Sequence, residues 1–195
     1  MTRGSPMKAL EEKILAEGKV YPGNILKVGS FLNHQLDVEF LLQMGEEIAR
    51  LFQGEKITKI ITIEASGIAI AMAAAVHIKV PVVFAKKNQS ANLSPDNYTS
   101  KVHSYTHNRD YDIILSKEFL NSEDRVLIVD DFLAKGKALN GLMDIVSQAG
   151  AETAGIAIAI EKGFQGGGDE LRNAGIRVES LAIVESMDDC KIVFR

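Results

Sequence analysis

Val126, Leu127, Ile128 and Val129 form an uninterrupted apolar run, mostly β-branched, and this run constrains the chain more than any other segment. The pattern is that of a parallel strand buried on both faces. Asp130 and Asp131 end the run. A short loop with one glycine, Gly136, follows, and then Leu139, Leu142, Met143, Val146 and Ala149 recur at helical spacing. A strand, an acidic pair, a tight loop and a helix in that order belong to an α/β layer fold. They bring carboxylates and a helix N-terminus together at the C-terminal edge of a sheet, where ligands usually bind. Free backbone N–H groups at a helix N-terminus attract anions, whereas carboxylates repel phosphate. The arrangement therefore suits a ligand with hydroxyls or a bound metal near the acids and a phosphate a few ångströms further on. A phosphorylated sugar fits. An isolated Asp pair also arises simply because aspartate suits turns and helix caps.

The remaining pattern extends the α/β rhythm in both directions. A short amphipathic helix is expected over residues 8–17, carrying Leu10, Ile14 and Leu15, with Gly18 as its stop. Pro22 and Gly23 mark a turn within 20–24, a short strand is expected over 25–28, and 30–35 reads as irregular. Asp37 caps a helix to about Phe52, with Phe40, Leu41, Met44, Ile48 and Leu51 on its inner face. Residues 59–63 form a strand ending at Glu64, 65–67 a small-residue loop, 68–77 a helix and 80–85 a strand followed by Lys86 and Lys87. Residues 88–97, rich in Asn, Ser and Pro, are expected to form a mobile β-arm long enough to act as a lid. After the helix at 139–149 come a strand at 153–160, a loop at 161–168, a short helix at 169–174 and two strands at 177–184 and 191–194. The expected fold is a single α/β domain over 7–195, with a small hood from about 7–36 plus C-terminal segments. Residues 1–6 read as an added scar ahead of Met7.

Composition excludes several classes. With a formal charge of −4 the chain lacks the basic excess of a nucleic-acid-binding surface. No apolar run approaches the ~20 residues that span a bilayer, so no membrane association is expected. The single cysteine, Cys190, cannot form an internal disulfide, consistent with a reducing cytoplasm. His103 and His107 fall in a segment that reads as strand or arm, so their spacing does not make a metal site. His77 reads as a packing or capping residue, and Cys190 has no acidic or histidine neighbour in sequence to activate it.

Segment 126–138 resembles the phosphoribosyl diphosphate (PRPP) binding motif of the type I phosphoribosyltransferases. The stretches 31–35 (Phe, Leu, Asn, His, Gln), 62–69, 129–134 and 160–164 are similar, in the same order, to the xanthine-using bacterial branch of that family, and the likeness runs from Met7 to the C-terminus. The resemblance implies a central, mostly parallel sheet flanked by helices, with a hood and a β-arm. It implies that Asp130 and Asp131 hold the ribose hydroxyls and act in catalysis. The 5′-phosphate would bind to the loop of Ala134, Lys135, Gly136, Lys137 and Ala138. Threonines common at these loop positions are replaced here by Ala134, Lys135 and Ala138, so backbone N–H groups carry the phosphate. Pyrophosphate would meet Ala65, Ser66 and Gly67, with Lys86 and Lys87, a basic pair that in the family tends to cross from a neighbouring subunit. The purine would meet Leu26, Asn33, Lys162 and Phe164. Mg2+ would arrive with PRPP rather than on a protein ligand set, and the partners implied are PRPP, xanthine and a second copy in a homodimer. Local evidence alone leaves plainer readings open: an ordinary βα turn at 65–67, a solvated strand end at Lys86 and Lys87, a solvated loop lysine at Lys162, and core packing for Leu26. The expected activity is phosphoribosyl transfer to N9 of xanthine. Guanine or hypoxanthine transfer and a non-catalytic PRPP- or purine-sensing regulator are the alternatives.

Overall fold

The computed structural model describes residues 7–87, 96–104 and 109–195. Most of the expected lid, residues 88–95, and His107 lie outside the described residues. Helix α1 (Lys8–Glu17) buries Leu10 and Ile14 and stops where Gly18 N–H donates to the Ile14 carbonyl at 2.8 Å. Residues 19–27 form a hairpin, β1 (Lys19–Tyr21) against β2 (Ile25–Lys27), where only a turn and one strand were expected. Its tip turns through Gly23 (φ 84°) and Asn24 (φ 60°), two residue types that tolerate the left-handed region. Residues 29–33, overlapping the 30–35 stretch expected to be irregular, form one wide helical turn with Phe31 and Leu32 buried.

Helix α2 (Val38–Leu51) starts as expected, with Phe40 N–H donating to the Asp37 carboxylate at 3.1 Å. It crosses α3 (Ser66–Ile78) in near contact, because a Cβ on Gly45 would lie 2.3 Å from the Ala73 carbonyl carbon. Glycine and alanine let the two backbones approach.

The main sheet comprises β3 (Lys59–Ile63), β4 (Val82–Lys87), β5 (Asn97–Ser104), β6 (Arg109–Ser116), β7 (Arg125–Leu133), β8 (Glu152–Lys162), β9 (Val178–Ser186) and β10 (Val193–Phe194). Their spatial order is β10-β9-β8-β7-β3-β4-β6-β5. The five central strands are parallel, and β10, β6 and β5 add antiparallel edges. Helices α1, α2 and α3 cover one face, where Leu10, Ile14, Met44, Ile48 and Ile70 meet Leu127 and Val129. Helix α4 (Lys137–Gln148) covers the other, packing Leu139, Leu142 and Ile145 against Ile61, Val126 and Ile128. Burial on both faces explains the unbroken apolar run in β7. Helix α5 (Gly167–Asn173) contributes Leu171 to the α4 side.

Two strands run further than their hydropathy indicates. Asp130 and Asp131 lie inside β7, and Glu161 and Lys162 inside β8 rather than in a loop. Apolar patterning stops at the charges, but backbone pairing continues through Phe132 with Ile160, Leu133 with Glu161, and Lys162 with Val184. Likewise α3 and α5 each begin two residues earlier than expected, and neither has a side-chain cap to announce the start.

The chain passes from β3 outward to β4, then returns to β7 on the opposite side of β3 and continues outward to β8 and β9. The C-terminal ends of β3 and β7 therefore flank the point where the winding reverses, the place where open α/β sheets leave a ligand crevice. Among the described residues, no helix is long and apolar enough to cross a membrane.

Candidate active site

Asp130 stands on β7 at this switch point, with its side chain almost wholly buried. Its Oδ1 accepts from Asp131 N–H at 3.0 Å, and Asp131 Oδ1 accepts in turn from Phe132 N–H at 3.0 Å. Burial raises the Asp130 pKa well above the ordinary carboxylate range, and the neighbouring Asp131 charge raises it further, while Lys87 pulls it down. Asp131 is less buried, and neither acid lines the cleft described below.

The segment after β3 meets β7 at this spot. The Glu64–Ala65 peptide is cis, Ala65 is exposed, and α3 begins at Ser66. A Cβ on Gly67 would lie 2.1 Å from Thr62 Oγ1 and 3.1 Å from Asp130 Oδ1, so only glycine fits. Gly67→Ala is therefore expected to lower both the melting temperature and the turnover of the site, checked by thermal unfolding and initial rates. Wild-type values of both would mean that the contact relaxes freely. Glu64, which sequence reasoning passed over, accepts from Lys87 N–H at 2.6 Å and ties this segment to the end of β4.

The basic pair divides. Alternation along β4 sends Lys87 toward Asp130 and Tyr111, its Nζ 5.8 Å from the Tyr111 ring centre. Lys86 instead lines an outer groove with Phe84, Ile114 and Phe119.

Beyond the acids, Gly136 turns the chain in the left-handed region (φ 69°), and α4 starts at Lys137, inside the expected phosphate loop. Gly167 backs this loop, its N–H donating to the Ala134 carbonyl at 3.2 Å, and a Cβ there would lie 2.4 Å from that oxygen. The glycines at 166–168, assigned from sequence to a plain loop, thus shape the far wall. A cleft of about 540 Å³ opens over the loop, an ordinary size for a small-molecule site. It is lined by residues 132–139, by the hairpin tip at residues 23–25, and by Val102, Tyr111, Lys162 and Gln165. A helix N-terminus with small residues and lysines on one wall can take a phosphate.

Lys162 reaches from the end of β8 across the cleft, its Nζ donating to the Asn24 carbonyl at 2.9 Å and lying 5.8 Å from the Phe132 ring centre. Burial lowers its pKa below the usual lysine value. Leu26, by contrast, points into the core with Leu10 and Ile14, and its neighbour Ile25 lines the cleft. Hairpin alternation decides which of the two adjacent apolar residues faces the cleft. Asn33, half-buried, and Phe164, packed on the core, do not line the cleft in this conformation. Phe132 and Gln165, which do, were missed. Phe132 was foreshadowed only by following the acids directly. Among the described residues, no cluster of three or more His, Cys, Asp or Glu side chains could cage a metal.

The family model for the phosphoribosyl transferase domain matches residues 37–174. The xanthine phosphoribosyltransferase 1 of Clostridium perfringens is 57% identical over 190 residues, covering 97% of this chain and all of the relative. The xanthine phosphoribosyltransferase of Bifidobacterium adolescentis is 58% identical over 183 residues, covering 93% and 95%. Among solved structures, Giardia lamblia adenine phosphoribosyltransferase with 9-deazaadenine superposes with a TM-score of 0.77 at 21% identity, over 94% of this chain and 99% of that one. The Rhodothermus marinus adenine phosphoribosyltransferase gives 0.74 at 24% identity, over 91% and 99%. Sheet order, switch-point acids and near full-length identity agree, and the chain belongs to the phosphoribosyltransferase family, among the relatives of the bacterial xanthine phosphoribosyltransferases.

Proposed function

We propose that the protein transfers the 5-phosphoribosyl group from PRPP to N9 of xanthine, releasing pyrophosphate and forming XMP, a purine-salvage reaction. The single observation that supports this best is the juxtaposition at the switch point: a buried carboxylate on β7 against the glycine that opens α3, beside a cleft walled by the 134–138 loop and crossed by Lys162. Asp130 and Asp131 accept from the ribose hydroxyls and stabilise the positive charge that develops on the sugar as the pyrophosphate departs. Backbone N–H groups of the loop of Ala134, Lys135, Gly136, Lys137 and Ala138 hold the 5′-phosphate. Ala65, Ser66 and Gly67, at the N-terminus of α3, and Lys87 face the pyrophosphate.

With two neighbouring carboxylates and, among the described residues, no cage, the residues present would suit a Mg2+ ion carried in with PRPP. Bound with PRPP, such an ion supplies charge neutralisation at the leaving group. Lys162, held by Asn24 and partly desolvated, donates to a purine oxo group, and Phe132 offers an apolar face for the ring. Ile25 takes the apolar wall first assigned to Leu26, while Asn33 and Phe164 reach the base only if the hood closes further. A homodimer in the cytoplasm completes the proposal. Its supporting features are Lys86 in the groove with Phe84 and Phe119, and the exposed Met72 and Val76 on α3.

Pyrophosphate release with PRPP and xanthine, guanine, hypoxanthine or adenine tests the reading. Xanthine is expected to give the highest kcat/KM. Lys162→Met is expected to reduce that value by about 100-fold, the loss of a charge-assisted hydrogen bond in a desolvated site. PRPP binding without pyrophosphate release for any base would replace the enzyme with a sensor.

A further inference from the structure

Among the described residues, the buried Thr62 hydroxyl has neither a task in the mechanism above nor a hydrogen-bond partner. Thr62 lies on β3, fully buried among the isoleucines of the central strands. Its Oγ1 is shielded from solvent and makes no hydrogen bond, although valine would fill the same space and suits a buried strand better. A buried hydroxyl without a partner lowers stability, so its presence calls for a state in which it has one.

A candidate partner is Asp130. Thr62 Oγ1 and Asp130 Oδ1 both press on the position that a Cβ of Gly67 would occupy, at 2.1 and 3.1 Å from it. With glycine there, no Cβ occupies the position both oxygens approach. Asp130 Oδ1 already accepts from Asp131 N–H, and a carboxylate has lone pairs to spare for a second donor. Three further groups share the surroundings: Asp131 on the same strand, Lys87 on β4, and Tyr111 on β6, whose hydroxyl pKa burial and the Asp130 charge raise.

We propose that Thr62 is a positioning residue for the transfer reaction: its hydroxyl donates to the Asp130 carboxylate in the substrate-bound site and holds it toward the ribose. The proposal rests on the reading of Asp130 as a ribose acceptor. In the free protein burial keeps Asp130 protonated to higher pH, and the hydroxyl stays idle. When the ribose and the charge developing on it favour the carboxylate, the hydroxyl supplies a donor that water cannot reach to supply. Thr62 never touches substrate and acts only through Asp130.

Thr62→Val removes the hydroxyl and keeps the shape, and Thr62→Ser keeps the hydroxyl. PRPP and base kinetics from pH 5 to 9, together with thermal unfolding of the free protein, are measured for both, with Asp130→Asn alongside. Thr62→Val is expected to melt at or above the wild type and to lose about tenfold in kcat/KM for PRPP, the scale of one hydrogen bond to a charged group. Its KM for xanthine should be unchanged, and the acidic limb of its kcat profile, which reports the substrate-bound site, should move to higher pH. Thr62→Ser should restore most of the rate. Wild-type PRPP kinetics in Thr62→Val at every pH would overturn the proposal, as would a Thr62→Ser protein equally impaired. A Thr62→Val protein melting well below the wild type would also overturn it, because the hydroxyl would then be supporting the free fold. If Asp130→Asn is inactive while Thr62→Val is normal, only the role of Thr62 fails. If Asp130→Asn turns over normally, the ribose reading fails as well.

Discussion

Asp130→Asn is expected to yield a protein that is more stable than the wild type at pH 8 and nearly inactive. The stability gain follows from linkage. Burial, then the adjacent Asp131 charge, raises the folded-state pKa above its unfolded value. Between those two values the folded chain holds a proton that the unfolded chain has released, so stability falls as pH rises through that window and stays reduced above it. Asparagine removes the titration and keeps the acceptor for Asp131 N–H. Thermal unfolding at pH 8 should show a rise of a few degrees that vanishes below about pH 4, where both states of the wild type are protonated. Activity runs the other way, because the amide carries no charge to set against the cationic ribose. A loss of about 10²–10³ in kcat is expected, the scale found when one preorganised electrostatic group is removed from a reacting centre. Asp131→Ala should lose turnover on the same scale with the fold intact. Near-normal rates in either variant would sink the assignment of the acids.

Arg172→Met should produce the largest loss of stability of any single change considered, about 3–5 kcal/mol. Glu161 is fully buried on β8 and accepts both guanidinium nitrogens of Arg172, at 2.6 and 2.9 Å, together with the Ser180 hydroxyl. Gly168 packs directly against it: a Cβ there would fall 2.0 Å from Glu161 Oε1. Removing the arginine strands a carboxylate, which is far more costly than removing the pair. The double variant Glu161→Gln with Arg172→Met should therefore recover much of the loss, an interaction that a double-mutant cycle of denaturant midpoints reads directly. The single variant is expected to melt on the order of 10 °C lower. Additive effects would show that the pair is not coupled. Because Glu161 directly precedes Lys162 and Gly167 backs the phosphate loop, the same pair anchors two walls of the cleft.

The site was legible where its chemistry is local in sequence. Asp130, Asp131 and Gly136 are separated by only a few residues, and strand hydropathy, acidity and a left-handed turn announce themselves one after another. The lengths of β7 and β8 were not legible, because charge ends a hydropathy pattern while neighbouring strands go on pairing. Lys79 closes α3 in the left-handed region (φ 64°) where glycine is the expected signal, and tertiary packing overrides that preference. The outer limits of α3 and α5 were missed for want of a side-chain cap.

By itself, the sequence determined the α/β class, the parallel core, the acidic pair late in a buried strand and the glycine turn before the next helix, because each depends on periodicity or on contacts within a few residues. Only the tertiary structure decided which of two neighbours faces the site. Ile25 rather than Leu26 lines the cleft, and Lys87 rather than Lys86 faces Asp130. Side chains alternate along a strand, so a one-residue choice of face depends on which partner strand and which core the segment meets. Thr62, Gly67 and Asp130 converge for the same reason: β3 and β7 are far apart in the chain, and the reversal of winding between them makes them neighbours.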